Sequence, residues 1–242
     1  MLKTTTAIVL RSTNYGDKDK ILYLFSLEDG VISAKLRGVR QQTSKMKIFS
    51  LPFCLAEWEL VGGNNGFYTV KGAHLIDAFY DISKDIDRYC IACIMLDLLK
   101  NATYYSDDVN SVMYLALLKA LRLINYSEVD PKIVLCKYLI QVFNVNGFGL
   151  QVNNCAKCGI KVIDKAYLNL DDGAVKCATC RDGNSVQLEQ GVITCLRNIS
   201  ELEFEELEKI KVNQFALDKT LAVLKKNAEL RLQFNINFAQ II

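Results

Sequence analysis

The chain holds a single histidine and two prolines. One imidazole leaves no histidine pair for acid–base work and no second imidazole for an open catalytic metal site. So few prolines leave no composition for long extended linkers. No apolar run reaches the roughly 18 residues of a membrane span. The opening MLKTTTAIVLRSTNYGDKDK alternates like a strand and offers no small-residue cleavage site, so no signal peptide is read there and cytosol is the expectation. There is no G-x-x-x-x-G-K-[ST] phosphate loop, no internal repeat and no low-complexity tract. Neither sign of charge dominates: 29 Lys and Arg face 27 Asp and Glu. Any affinity for nucleic acid must therefore come from local clustering.

What is present is apolar. Of 242 residues 51% are hydrophobic, enough for a real core in one large domain or two to three small ones. Residues 1–78 are strand-like. TTAIVLRSTNY, KILYLFSL, GVISAKLRGV, PFCLAEWEL and GFYTVKGAHLI are five β-rich runs, separated by NYGDKD, EDG, a basic stretch and GGNNG. Five antiparallel strands in so short a span predict a small barrel, an OB-fold first and an SH3-like barrel as its competitor. The lone His74 lies in the fifth run beside Leu75 and Ile76 and reads as a packed strand residue.

Residues 79–150 are helical. DIDRYCIACIMLDLLKNATYY places Ile86, Tyr89, Cys90, Cys93, Ile94 and Leu98 at helical spacing. NSVMYLALLKALRLIN follows, then DPKIVLCKYLIQVFNVNGFG, with Asp130 as N-cap, Pro131 at the first helical position and Gly147 as terminator. These middle helices are apolar nearly all round and predict the core of a bundle. Helix returns over 186–242: LEQGVITCLRNI, then SELEFEELEKI with a Ser200-to-Glu203 capping box, then NQFALDKTLAVLKKNAELRLQF. The expected fold is α+β: an OB-fold at 1–78, a helical domain over 79–150 and 186–242, and an insertion at 151–185.

That insertion carries chemistry. CAKCGIKVIDKAYLNLDDGAVKCATC has the form C-x2-C-x18-C-x2-C, a tetrahedral metal-site spacing. Gly159 follows the first pair where the knuckle needs a permissive backbone. YLNLDDGAV reads as a hairpin that returns the second pair to the first. Cys155, Cys158, Cys177 and Cys180 would bind one ion with no open position, a structural site. Zinc is expected, and iron in a rubredoxin-like site has the same ligands. Lys157, Lys161, Lys165 and Lys176 would offset part of the negative charge. The other five cysteines, Cys54, Cys90, Cys93, Cys136 and Cys195, sit in apolar runs and read as small buried hydrophobes.

A second constellation is basic. AKLRGVRQQTSKMK holds Lys35, Arg37, Arg40, Lys45 and Lys47, with no acid from Val31 to Ala56. Cations among small polar donors suit phosphate, whereas a solvated loop is the plainer alternative. Tyr15, Lys18 and Lys20 occupy an earlier turn that can share its surface. Acid pairs such as Asp17/Asp19 and Asp171/Asp172 fall in turns, where Asp bonds local backbone.

NYGDKDKILYLFSLEDGVISAKLRGVR, SKMKIFSLPFCLAEWEL, NGFGL and the cysteine segment, in that order, resemble the bacterial RecO family of DNA repair proteins along nearly the whole chain. The resemblance implies an OB-fold, a helical domain and a zinc-binding insertion. It implies a non-enzymatic recombination mediator that binds single- and double-stranded DNA and anneals complementary strands. Such a protein works with RecR to load RecA onto strands coated by single-strand-binding protein, in the bacterial cytoplasm at the nucleoid. Carried over, Lys35, Arg37, Arg40, Lys45 and Lys47 become DNA contacts and the four cysteines metal ligands. The acidic, apolar-ended C-terminal tail of single-strand-binding protein would meet the helical domain, where Lys119 and Arg122 share a helix face. A zinc-ribbon factor of transcription or translation also pairs a barrel with four cysteines, and would prefer RNA or polymerase. A metal-dependent enzyme is the third class; the lone histidine and the closed ligand set argue against it.

Overall fold

A computed structural model describes residues 2–64, 67–102, 107–163 and 165–232. Outside them fall Asn65 and Gly66 of the expected GGNNG turn, Tyr104 and Tyr105 at the end of the first expected helix, and Gln233 and Phe234 at the end of the last. The chain divides into two compact units, residues 1–84 with 103–115, and 85–102 with 116–242.

The first unit is a closed barrel of β1 (Leu2–Tyr15), β2 (Asp19–Ser26), β3 (Gly30–Leu36), β4 (Leu55–Asn64) and β5 (Phe67–Asp77). Its strand order is β1-β2-β3-β5-β4, with β4 pairing back on β1. That is the five-stranded Greek key of the OB-fold, which decides against the SH3-like competitor. One expectation is corrected: β3 and β5 pair in parallel, so the strands are not all antiparallel. The long link from β3 to β4 carries the chain across the barrel end, and β5 rather than β4 comes to lie beside β3.

Leu22, Leu24, Ile32, Ala34, Leu36, Ala56, Trp58 and Leu60 fill the interior. Trp58 is fully buried, its indole N–H donates to the Ala7 carbonyl at 3.0 Å, and its ring meets Phe49 edge-on at 5.8 Å. Relative to alanine, a buried aromatic of this size contributes on the order of 3–5 kcal/mol. A bulge in β1 shifts the pairing between Val9 and Arg11, so Val9 points inward while Arg11 stands opposite Tyr23 on the outside. His74 is exposed on the outer face of β5, opposite exposed Glu57 of β4, and is not the packed residue its apolar neighbours suggested. The alternation of β5 had to be read through its irregularities of register, which place Ala73 and Leu75 on the core instead. The first half of α2 (Asp107–Tyr126) belongs to this unit, with the Tyr114 ring tilted against Phe25, centroids 5.8 Å apart.

The second unit centres on α3 (Pro131–Val145), which packs against α1 (Ile86–Ala102), α4 (Gln190–Glu201) and α5 (Gln214–Arg231). Asp130 caps α3 by accepting from the Lys132 N–H at 2.8 Å, with Pro131 at its first position. Gly147, at φ +74°, ends it, and Phe148 N–H donates to the Phe143 carbonyl at 2.7 Å. Ile133 to Ile140 is a continuous buried run, as the all-round apolar pattern predicts. Ile86, at the start of α1, is exposed instead of sharing the packed stripe.

The capping box also moves. Ser200 lies inside α4 and donates back to the Leu196 carbonyl at 2.7 Å, so its hydroxyl is spent within the helix. The box is formed by Glu203 and Glu206, at the head of a 3-10 turn over Phe204–Lys209. Cys54, Cys90, Cys136 and Cys195 are buried as expected, and Cys93 is partly exposed. Burial pushes the Cys54 thiol up to about 12, which keeps it a protonated, inert hydrophobe.

Candidate metal centre and nucleic-acid interface

Three short strands in the second unit lie between and beside the two cysteine pairs, which sit in the turns before the first strand and after the second. β6 (Ala166–Asn169) pairs antiparallel with β7 (Val175–Lys176) and, on its other edge, with β8 (Ser185–Leu188), a strand the helical reading of 186–242 had missed. The β6–β7 connection is the expected hairpin. Asn169 accepts from the N–H groups of Asp171 and Asp172, and Gly173 turns the chain at φ +67°. Backbone bonds from Ala156 N–H to Val175 and from Val175 N–H to Gln151 tie the first cysteine pair to β7, immediately before Cys177. The knuckle itself closes by Gly159 N–H to the Cys155 carbonyl at 2.8 Å, with Gly159 at φ +74°. A side chain at that φ would be strained.

The four sulfurs of Cys155, Cys158, Cys177 and Cys180 all lie within 4.8 Å of one another. Cys158 and Cys177 are 3.9 Å apart, close to the roughly 3.8 Å edge of a tetrahedron with metal–sulfur bonds of about 2.3 Å. The N–H groups of Cys158 and Cys177 aim at the Cys155 sulfur and hold its thiol down to about 6. Cys180, bonded first to Cys177 and also desolvated, stays up at about 12. Cys177 is also held below the usual thiol range and Cys158 above it, so two of the four crowded sulfurs give up their protons readily and two keep them; a cation drives the remaining protons off. The donor set and spacing therefore fit a four-coordinate ion.

The expected lysine shell is only partly there. Lys157, Lys161 and Lys165 are exposed, but Lys176 is held between Asp172, at 2.9 Å, and Asp182. Its charge is spent on carboxylates. Arg197 of α4 takes a role that sequence reasoning did not assign. Its guanidinium donates to the carbonyls of Val152 (2.8 Å), Asn153 (3.1 Å) and Val162 (2.6 Å). Three backbone acceptors on both arms of the knuckle thus converge on one rigid fork. Arg197→Ala should destabilise this unit by roughly 2–3 kcal/mol, read in urea unfolding, with faster proteolysis within 150–165. Unchanged stability and proteolysis would show that the clamp is dispensable.

The basic segment lies at one end of the barrel. From Arg37 to Ser50 it runs as consecutive turns, closed by Gln41 N–H to Gly38, Ser44 N–H to Gln41 and Phe49 N–H to Met46. It is bonded to the β1–β2 turn at three points. Arg40 N–H donates to the Lys18 carbonyl at 3.0 Å, the Arg40 guanidinium to the Gly16 carbonyl at 2.8 Å, and Gly38 N–H to Asp19 at 2.8 Å. Tyr15 and Lys18, both exposed, are thereby brought beside the basic segment, whereas Lys20 is half-buried and donates to the Ser12 and Ser50 hydroxyls at 3.3 Å. The five named cations are not equivalent. Lys35 is paired with Asp19 at 3.0 Å and lies over the Tyr15 ring at 4.7 Å. The Gly38 N–H, followed by Lys35, holds the Asp19 carboxyl below its usual range. Lys47 donates to the Gln42 carbonyl at 2.8 Å. Arg37 and Lys45 are exposed and make no hydrogen bond or ion pair among the described residues.

Lys119 and Arg122 of α2 do come together, on the rim of a cavity of about 240 Å³ with Leu123, Tyr126 and Phe204. Lys119 is already bridged to Glu205 at 2.9 Å, and that lysine holds the Glu205 carboxyl below its usual range. No helix among the described residues is long and apolar enough to cross a membrane.

Two family models match end to end: Recombination protein O N terminal over residues 1–79 and Recombination protein O C terminal over residues 83–236. The chain is 26% identical to the DNA repair protein RecO of Acetivibrio thermocellus, over 96% of this chain and 92% of that one. It is 26% identical to that of Alkaliphilus metalliredigens, over 98% and 96%. It is 30% identical to that of Desulfitobacterium hafniense strain DCB-2, over 90% and 80%. A closed five-stranded barrel, a helical unit and a clustered four-cysteine knuckle thus coincide with matches at both ends, and the chain belongs to the recombination protein O family of DNA repair proteins.

Proposed function

We propose that this chain is a recombination mediator without enzymatic activity of its own. It binds single- and double-stranded DNA, anneals complementary strands and acts with RecR to load RecA onto single strands, in the cytoplasm at the nucleoid. The observation that carries the reading is the joining of the two basic turns at one end of an OB-fold barrel by the Arg40 bonds to Lys18 and Gly16. Arg37, Arg40, Lys45 and Lys47, with Lys35 behind them, offer adjacent charge to phosphates and no aromatic or fixed pattern of donors that reads bases. Neutralising two polyanions on one protein is the physical requirement for annealing them. The cysteine knuckle holds one structural zinc, which orders residues 151–185 and takes no part in chemistry.

The C-terminal tail of single-strand-binding protein is assigned to the cavity rimmed by Lys119 and Arg122, its terminal apolar residue against Leu123 and Phe204. The Lys119–Glu205 pair must open for an acidic tail, so Arg122 makes the first contact.

One experiment tests both levels. Complementary oligonucleotides, bare or coated with single-strand-binding protein, are mixed with the chain in the absence of ATP. Annealing is expected on both. Removing the terminal apolar residue of the coating protein's tail should abolish annealing of coated strands and leave bare strands unaffected. No annealing of bare strands refutes the mediator reading. Tail-independent annealing of coated strands, or tail protection of the barrel alone in hydrogen exchange, refutes the cavity assignment.

A further inference from the structure

The basic turns hold no exposed ring, yet the barrel shows several rings on one outer face. The β1 bulge places Arg11, Thr13 and Tyr15 outward. Pairing then aligns Arg11, Tyr23, Ser33 and Phe67 in one row across β1, β2, β3 and β5, with Thr13, Ile21, Lys35 and Thr69 in the next. Both rows belong to the face whose alternate residues, Leu22, Ala34 and Val70, fill the core. The Arg11 guanidinium lies 3.6 Å from the centre of the Tyr23 ring. Phe67 is 47% exposed and makes no ring or cation contact among the described residues. Tyr15 is 52% exposed beneath Lys35.

Phe67 does not sit on an open edge, for β5 is paired with both β3 and β4. Its exposed ring adds nothing to the core and stands in the same row as the Arg11–Tyr23 pair. Tyr23 and Phe67 are two strands apart, roughly 10 Å, with only the small Ser33 between them. Ser33 on the floor between the rings is partly exposed, a cation stands at Arg11, and Lys35, paired with Asp19 at 3.0 Å, lies toward the adjoining basic turns.

We propose that this face, with Phe67 and the Arg11–Tyr23 pair at its centre and Tyr15 at its basic end, stacks unpaired bases of single-stranded DNA. The inference rests on the DNA-binding reading above and deepens it: the turns hold phosphates of any strand, and the rings add affinity only where bases are unpaired. A guanidinium laid on a ring offers both a stacking plane and a charge for the neighbouring phosphate. A duplex keeps its bases stacked on one another and gains nothing from the rings. Strands opened for annealing are thereby held with bases splayed against the sheet.

The test uses the full chain with oligo(dT) and a blunt duplex of the same length. Phe67→Ala should weaken oligo(dT) binding about tenfold and leave duplex affinity and the salt dependence of both unchanged. Tyr15→Ala should add to that loss on oligo(dT) alone. Phe67→Trp should retain affinity, and the introduced indole should be quenched by oligo(dT) and not by duplex. Trp58, the one native tryptophan, is buried in the barrel and stays silent. Equal losses on both ligands, no loss on oligo(dT), or an indole indifferent to oligo(dT) each overturn the proposal. A wild-type chain that binds neither ligand would instead overturn the DNA-binding reading itself.

Discussion

Protein purified without chelator should carry one equivalent of zinc, and Cys158→Ser should lose it. The loss should lower solubility and open residues 150–185 to hydrogen exchange, while DNA binding by the barrel survives. The size of the effect follows from the coupling of metal binding to folding: structural zinc contributes on the order of 10 kcal/mol of apparent binding free energy at neutral pH. The knuckle has little else to hold it. β6, β7 and β8 supply four, two and four residues, and most of the first cysteine pair's surroundings are exposed. Removing one of four ligands leaves three sulfurs still crowded together without the dication that compensates them. The sign with pH is also set. Binding requires the thiols to give up their protons, so affinity falls as pH is lowered. Cys155, held down to about 6, is the ligand that resists longest. Elemental analysis distinguishes zinc from iron directly, and protein with no metal at all would refute the site.

Changing Arg37 and Arg40 together to alanine should weaken DNA of every sequence alike and flatten the dependence of log affinity on log salt by about 1.4 units on single strands. At about 0.1 M salt, counterion release alone then accounts for a loss of roughly twentyfold. With Lys35 neutralised by Asp19, four cations rather than five remain to release counterions, and the full slope is near −2.8 at about 0.7 per contact. The two arginines are not alike structurally. Arg37 is free among the described residues, so Arg37→Ala should flatten the slope by about 0.7 without touching the fold. Arg40 also bonds the Gly16 carbonyl, so its loss slackens the β1–β2 turn. Annealing should fall in parallel, and zinc content should not change. A double variant with the wild-type slope would move the phosphate surface elsewhere, most directly to Lys18 and Lys20 or to the exposed lysines of the knuckle.

Both expectations begin in features written along the chain. The cysteine spacing, the Asp130–Pro131 start and Gly147 stop of α3, and the β-rich runs are legible because each records the burial or backbone geometry of one element. Pattern along one element says nothing about which element becomes its neighbour. Plain alternation through TTAIVLRSTNY puts Arg11 on the same side as Val9; one bulge sends Arg11 outward onto Tyr23. A slip of one residue reverses every later side chain in a strand. The same irregularity of register in β5 exposes His74. The parallel contact of β3 with β5, the bridge from Lys35 to Asp19 and the Arg197 clamp on Val152, Asn153 and Val162 join residues far apart in sequence. The sequence by itself determined the barrel, the helical core and the clustering of the four cysteines, because those rest on local periodicity and spacing. Only the tertiary structure decided which cations stay free and which rings face solvent, because both depend on register and on partners that closure of the barrel and docking of α4 bring within bonding distance.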